Sequence, residues 1–103
     1  MIRHFVHLRF RDNVSDATKQ GLYDRLAGLS NHIDGIMDFQ SCANVSVETP
    51  LVRGFLDMFG LDFRDAGVRD VYLIDAVHQA IGADIVAQLE GGADGVFVCD
   101  IEL

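Results

Sequence analysis

The sequence predicts one α+β domain with the element order β-α-β-β-α-β. Four stretches alternate or concentrate β-branched and aromatic residues, two intervening regions space their apolar residues as helices do, and glycines or a proline separate the elements. The chain has 103 residues, half of them apolar and only one of them proline, which suits a single hydrophobic core. We therefore expect residues 1–103 to form one folded domain.

The first strand and the first helix follow directly from the spacing of apolar side chains. Over residues 2–10 the even positions form one face and the odd positions the other, as in a β-strand. The even face is the more apolar, so we assign it to the helices and expect His7 and Arg9 on the opposite face. Ser15 can cap a helix, and leucines at helical spacing extend that helix over residues 16–32.

The remaining elements are three strands and a broken helix pair. Residues 36–47 and 53–63 predict two strands, and the second of these is apolar on both sides, as in a strand covered on both faces. Asp65 can cap a short helix, and the helical spacing restarts after Asp75. Residues 96–103, which follow a glycine-rich turn, predict the closing strand.

This order suits a ferredoxin-like protomer, in which a four-stranded antiparallel sheet carries both helical regions on one face. The other apolar face would then be bare, and a two-fold related copy is the commonest cover, so we expect a homodimer. Asp57 lies among aromatic residues of the interior strand, where a carboxylate needs a partner. Arg3 or Arg9 is the expected partner, and a catalytic base is the alternative interpretation.

Charge and motif content exclude several classes of function. Sixteen acidic and eight basic side chains give a net charge of −8, which disfavours nucleic acid and anionic lipid as partners. No segment resembles a leader or a membrane span, so a cytoplasmic location is the default expectation. The glycines lack the spacing of a phosphate-binding loop, so no cofactor is expected.

Metal and disulfide chemistry are not predicted either. Cys42 and Cys99 lie far apart, without a CxxC motif or flanking metal ligands, and we expect buried free thiols. His4 and His7 have the HxxH spacing, but on a strand this spacing sends the two side chains to opposite faces. A zinc site is therefore rejected. His32 is expected to be solvated.

Several short stretches across the chain are similar, in order and spacing, to those of one known family. They are residues 1–4 (MIRH), 44–46 (NVS), 53–55 (RGF) and 99–101 (CDI), together with Tyr72 and His78. On these residues the chain resembles the stress-responsive dimeric α/β barrel family, often abbreviated Dabb. The resemblance implies a barrel made of two stacked sheets and a pocket between the sheet and the helices of each protomer. Family members include heat-stable plant proteins and a plant polyketide cyclase that closes a ring without a cofactor.

The resemblance also implies site residues. Tyr72 and His78 correspond to the acid–base pair of the cyclase, His4 matches a pocket histidine, and Asp100 is, by analogy with the family, the carboxylate that orients His78. Two departures distinguish this chain from the cyclase. Asp57 replaces a further pocket histidine, and the run Asp-Ala-Val-His ending at His78 replaces the usual His-Pro-Ala-His.

Each site residue also has a purely structural interpretation. His78 shares a helical face with Ile81, so it points toward the core or a pocket; it is either a general base next to a carbonyl or a histidine with a satisfied hydrogen bond. Tyr72 is either the acid or a core aromatic residue.

The sequence thus favours a homodimeric domain of unassigned activity with a pocket for a small apolar organic molecule. One alternative is a cofactor-independent enzyme, cyclase-like or monooxygenase-like. The other is a non-catalytic stress or scaffold protein whose pocket is filled by Phe10, Leu26 and Ile85.

Overall fold

Four strands and four helices follow the predicted order in a computed structural model that describes all 103 residues. One element was not predicted, a four-residue helix between the second and third strands. The elements are β1 (Ile2–Leu8), α1 (Asp16–Ala27), β2 (Ile36–Ala43), α2 (Thr49–Val52), β3 (Asp57–Phe63), α3 (Ala66–Ile74), α4 (Ala76–Val86) and β4 (Val96–Glu102). The ferredoxin-like fold class is confirmed.

The four strands form one antiparallel sheet in the order β2-β3-β1-β4. The first strand is therefore central, with β3 on one side and β4 at the edge on the other. In this register His4 lies opposite Leu61 of β3 and opposite Asp100 of β4. Residues that are distant in sequence thus become direct cross-strand neighbours.

The helices cover the sheet face that carries the even-numbered side chains of β1, as predicted. Val6 and Leu8 are buried there, whereas Arg3, Phe5 and His7 are only half-buried on the opposite face. A core of seventeen buried residues fills the space between this face and the helices. Burial of this apolar surface is the main force that holds the helices against the sheet.

Side-chain caps begin the helices where the sequence indicates. The Ser15 hydroxyl accepts a hydrogen bond from the Thr18 backbone N–H, and the Asp65 carboxylate accepts one from Val68. Asp75 breaks the second helical region: its backbone is extended, and its carboxylate accepts from the His78 N–H at 2.9 Å to start α4. Each such cap satisfies an amide that the first helical turn leaves free.

Three predicted boundaries are too generous. The first helix ends at Ala27 and continues as a 3₁₀ turn over Gly28–Asn31. The second strand stops at Ala43, and the third begins only at Asp57. Between them Arg53 closes α2 in the left-handed conformation, with φ at 56°, and this reversal prevents an extended strand from starting there.

Two sequence-based expectations about polar residues are wrong. Asp57 pairs with Lys19 at 3.1 Å, because the helix-facing side of β3 brings it against α1. Arg3 lies on the other sheet face, where it binds both carboxylate oxygens of Asp62. Cys42 and Cys99 are free but exposed, because both point away from the helices.

The sheet face turned away from the helices, here called the outer face, is uncovered in the single chain. It is substantially apolar: Phe97 and Ile101 of β4 are 55% and 40% exposed, and the half-buried Phe5 of β1 and Met58 of β3 lie on the same face. The charged Arg3–Asp62 pair lies among these side chains. No helix has the length and apolar character needed to cross a membrane.

Candidate functional site

A cavity of about 190 Å³ lies between the sheet and the helices α3 and α4. We call it the helix-side cavity. Its walls are mostly apolar, and its polar side chains are those of two histidines and a tyrosine. The lining residues are His4, Val6, Leu8, Leu26, Phe59, Tyr72, Leu73, His78, Gly82, Ile85, Val86, Val96 and Val98. A mostly apolar pocket with a few convergent polar groups is the usual form of a small-molecule site.

His4 is held in one orientation by Asp100. The imidazole is buried, and its Nδ1 lies 2.6 Å from a carboxylate oxygen of Asp100. Because a carboxylate can only accept, Nδ1 carries a proton, and in the neutral form of the ring Nε2 is then the proton acceptor. The second oxygen of Asp100 accepts a hydrogen bond from Nη1 of Arg69 at 3.2 Å. Arg69 and Asp100 therefore fix the tautomer of a histidine in the cavity wall.

Tyr72 contributes a buried hydroxyl group that has no hydrogen-bond partner. Its side chain is fully buried, packed against the rings of Phe63 and His78 at centroid distances of 5.0 and 3.8 Å. Burial raises the pKa of Tyr72, so the phenol stays protonated and remains a hydrogen-bond donor. A buried donor without an acceptor costs about 1–3 kcal/mol, which a ligand oxygen would relieve.

His78 presents a second unsatisfied polar atom. Its Nδ1 is buried without a partner, in the first turn of α4 that Asp75 caps. Burial and, after it, the neighbouring His4 ring lower the pKa of His78, while the Asp75 carboxylate and the backbone carbonyl groups of Tyr72 and Leu73 oppose this shift. The imidazole is therefore neutral near pH 7. Asp75 is itself bound by His32, whose Nε2 lies 2.6 Å away, so His32 is half-exposed but not free.

The structure brings the predicted site residues together with one change of pairing. His4, Tyr72 and His78 line the same cavity, as the resemblance implied. Asp100 orients His4 and not His78, because β1 and β4 are neighbouring strands whose register sets these two residues opposite each other. The prediction that Asp100 would orient His78 is wrong.

Arg69 was not predicted as a site residue from the sequence. It precedes Tyr72 by three positions on α3, which places the two side chains on the same helical face. This spacing is the one signal that could have pointed to it. Its partner Asp100 lies on the far strand of the sheet, and no local pattern in the sequence joins the two.

The cavity lined by the three site residues is not filled by the apolar side chains that the sequence suggested. Leu26 and Ile85 form part of the cavity wall, and Phe10 is not among the lining residues. Elsewhere in the chain, no group of three or more His, Cys, Asp or Glu side chains is arranged to hold a metal ion.

Fold and site together define a class of protein, a ferredoxin-like α+β domain whose sheet and helices enclose a mostly apolar cavity with a few polar side chains in its wall. The model of the stress-responsive A/B barrel domain family, Dabb, matches residues 2–103. The chain belongs to this family.

Solved structures agree with this assignment. A dimeric ferredoxin-like protein of unknown function from Jannaschia sp. CCS1 is 27% identical with a TM-score of 0.85, over 99% of this chain and 98% of that one. An Arabidopsis thaliana protein is 24% identical with a TM-score of 0.87, over 100% and 95% of the two chains. A hydroxynitrile lyase from Passiflora edulis shares the fold at 12% identity, with a TM-score of 0.81 over 99% and 92%. No curated protein is similar enough to the chain to count as a match.

Proposed function

We propose that this protein is a homodimer whose helix-side cavity binds a small organic carbonyl compound and catalyses proton transfer on it without a cofactor. One observation carries the proposal. The buried Tyr72 hydroxyl has no partner within the protein, and Tyr72 and His78 both line a cavity whose third polar residue, His4, is oriented by a carboxylate.

The chemistry follows from the protonation states. Nε2 of His4 accepts a proton from the carbon next to the substrate carbonyl, and the Asp100 carboxylate stabilises the resulting imidazolium. The Tyr72 hydroxyl donates a hydrogen bond to the carbonyl oxygen, where negative charge develops. His78 is the second candidate base; its neutral ring lies against Tyr72 and offers a further polar contact. Transfer of this proton from His4 to the enolate oxygen completes an enolisation, the common first step of cyclisations and isomerisations.

Hydrogen–deuterium exchange at the methyl group of acetophenone in D₂O, followed by proton NMR, tests this chemistry. The wild-type protein should accelerate exchange, and His4→Gln should lower the acceleration by about 10²–10⁴-fold, the usual contribution of a positioned base. His78→Gln should lower it less. No acceleration by the wild type, or full activity in the His4 variant, would refute the proposed function.

The outer face supports the dimer. Exposed apolar side chains of β4 share this face with the half-buried Phe5 of β1 and Met58 of β3, and an apolar sheet face of this kind is stabilised by a second sheet. The Jannaschia protein, which is dimeric, shares the fold over nearly its whole length. A two-fold contact through this face forms the barrel.

Sedimentation at micromolar protein concentration tests the dimer. The wild type should sediment as a dimer and Phe97→Asp as a monomer, because the variant places a charge in the proposed interface. Val71→Asp is the matched control, since Val71 of α3 is similarly exposed but lies on the helix side. A wild-type monomer, or a Phe97 variant that remains dimeric, would contradict the assignment.

A further inference from the structure

We propose that the helix-side cavity selects uncharged molecules no larger than about one substituted six-membered ring, and that Gly82 sets this size limit. The inference rests on the proposed function, because it takes the cavity as the ligand site. It adds the charge and the size of the ligand, which the proton-transfer chemistry alone leaves open.

The volume sets the size. An apolar protein cavity of about 150 Å³ accommodates benzene. The helix-side cavity, at about 190 Å³, therefore has room for one such ring with a short substituent. A fused two-ring compound exceeds it.

The charge distribution excludes ions. No Lys, Arg, Asp or Glu lines the cavity. The nearest carboxylates are already engaged: Asp100 lies between His4 and Arg69, and Asp75 binds His32 and the start of α4. A ligand carboxylate would lose its hydration without meeting a Lys or Arg side chain, which is costly in an apolar site.

The polar atoms favour a neutral oxygen as the ligand's polar group. The Tyr72 hydroxyl is a donor without an acceptor, and burial holds the pKa of this phenol above its ordinary value. A ketone or aldehyde oxygen satisfies it and brings no charge. The rest of the ligand then meets apolar side chains, such as Val98 of the edge strand and Ile85 of α4.

Gly82 keeps part of the cavity open. It lies in the middle of α4 and lines the cavity, and a Cβ atom built on it meets no heavy atom within 4 Å. A Cβ atom at position 82 therefore meets no clash, and because Gly82 lines the cavity we expect a larger side chain there to occupy part of its volume. Glycine inside a helix is unfavourable by roughly 0.5–1 kcal/mol relative to alanine. No close contact with a neighbouring atom requires glycine at position 82.

Gly21 provides a matched control. It also lies inside a helix, α1, and a Cβ atom there likewise meets nothing within 4 Å. It is exposed, and it does not line the cavity. Leucine at either position gains the same helix propensity, but only leucine at position 82 fills the cavity.

The first experiment compares binding of acetophenone, benzoate and 2-acetylnaphthalene to the wild-type protein by isothermal titration. Acetophenone should bind at least about tenfold more tightly than benzoate, because the carboxylate is desolvated without a counter-charge. The naphthalene compound should bind more weakly than acetophenone, because it does not fit wholly within the cavity. Equal or tighter binding of benzoate or of 2-acetylnaphthalene would overturn the inference, and so would the absence of binding by all three.

The second experiment measures acetophenone binding to Gly82→Leu and Gly21→Leu. The first variant should lose binding and the second should keep it, with the melting temperature of neither lowered. If Gly82→Leu does not fold, Gly82→Ala serves instead and should weaken 4-methylacetophenone more than acetophenone. Unchanged binding in the folded position-82 variant would overturn the role of Gly82.

The outcomes separate the two proposals. Selective binding of acetophenone without hydrogen–deuterium exchange refutes the proposed function and leaves the selectivity standing. Exchange together with a preference for benzoate refutes the selectivity and leaves the proton-transfer chemistry standing.

Discussion

The carboxylate of Asp100 lies 2.6 Å from Nδ1 of His4, although the two residues are 96 positions apart in the chain. They meet because the central strand β1 pairs with the edge strand β4 in a register that sets them opposite each other. Arg69 of α3 binds the second carboxylate oxygen. These contacts fix both the orientation and the tautomer of the imidazole, and they are the reason for assigning the proton-accepting role to His4.

Replacing Asp100 by asparagine should therefore impair catalysis more than folding. The amide carries no charge to stabilise an imidazolium and no longer enforces the tautomer, so acetophenone exchange should slow by about 10²-fold or more. Asp70→Asn is the matched control. Asp70 also accepts a hydrogen bond from Arg69, at 3.0 Å, but it is exposed and makes no hydrogen bond to His4. Equal rates in the two variants would show that Asp100 has no positioning role.

Replacing Tyr72 by phenylalanine should lower the exchange rate without destabilising the protein. The substitution keeps the ring and removes a buried hydroxyl that has no partner, so the free energy of unfolding should stay the same or rise by about 1 kcal/mol. Urea denaturation measures that change.

Tyr23→Phe separates the two effects of the Tyr72 substitution. The Tyr23 hydroxyl is also buried without a partner, but this residue packs on Phe59 and does not line the cavity. Removal of the Tyr23 hydroxyl should have a similar effect on the free energy of unfolding and no effect on the rate of acetophenone exchange. A loss of exchange in both variants would point to a general disturbance of the fold.

The protein should lose stability as the pH falls below about 6.5, in part because of His78. Burial lowers the pKa of this histidine from its ordinary value of 6.5, so the unfolded chain binds its proton more readily than the folded protein does. The contribution is fully present above that pH and decreases as the pH falls toward the lowered value.

Urea denaturation at about pH 7.5 and about pH 5.5 measures this linkage at one fixed protein concentration, because the stability of a dimer depends on concentration. The His78→Gln variant should lose less stability between the two pH values than the wild type. The same loss in both proteins would rule out the proposed protonation of His78.

Asp75 should contribute more to stability than an ordinary helix cap. Its carboxylate caps α4 and also binds His32, which ties the end of the first helical region to the start of α4. Asp75→Ala should cost more than the roughly 1 kcal/mol typical of a lost cap. Asp65→Ala, which removes the cap of α3, is the comparison. If thermal or urea unfolding shows the same loss of stability in both variants, the His32 contact does not stabilise the protein.

The secondary structure could be predicted from the sequence because local rules determine it. The alternation of more and less apolar residues in β1 predicted which of its faces the helices cover. The capping residue Asp75 predicted the break between α3 and α4. The overlong second and third strands show the limit of these rules. The left-handed turn at Arg53 depends on how residues 44–56 return to the sheet, and no apolar spacing encodes that path.

The site was less predictable, because its contacts join distant elements. Tyr72 and His78 came from a family resemblance, and periodicity alone left each of them with two interpretations. The pairing of Asp100 with His4 depends on strand order and register, which the sequence does not state. Asp57 was likewise assigned to the wrong cation, because its actual partner, Lys19, approaches from a helix.

The most direct test of the account is a crystal structure of the protein with acetophenone bound. We expect the ligand in the helix-side cavity, with its oxygen within hydrogen-bond distance of the Tyr72 hydroxyl and its methyl group facing Nε2 of His4. An empty cavity at saturating acetophenone, or a ligand bound there without contact to Tyr72 or His4, would contradict it.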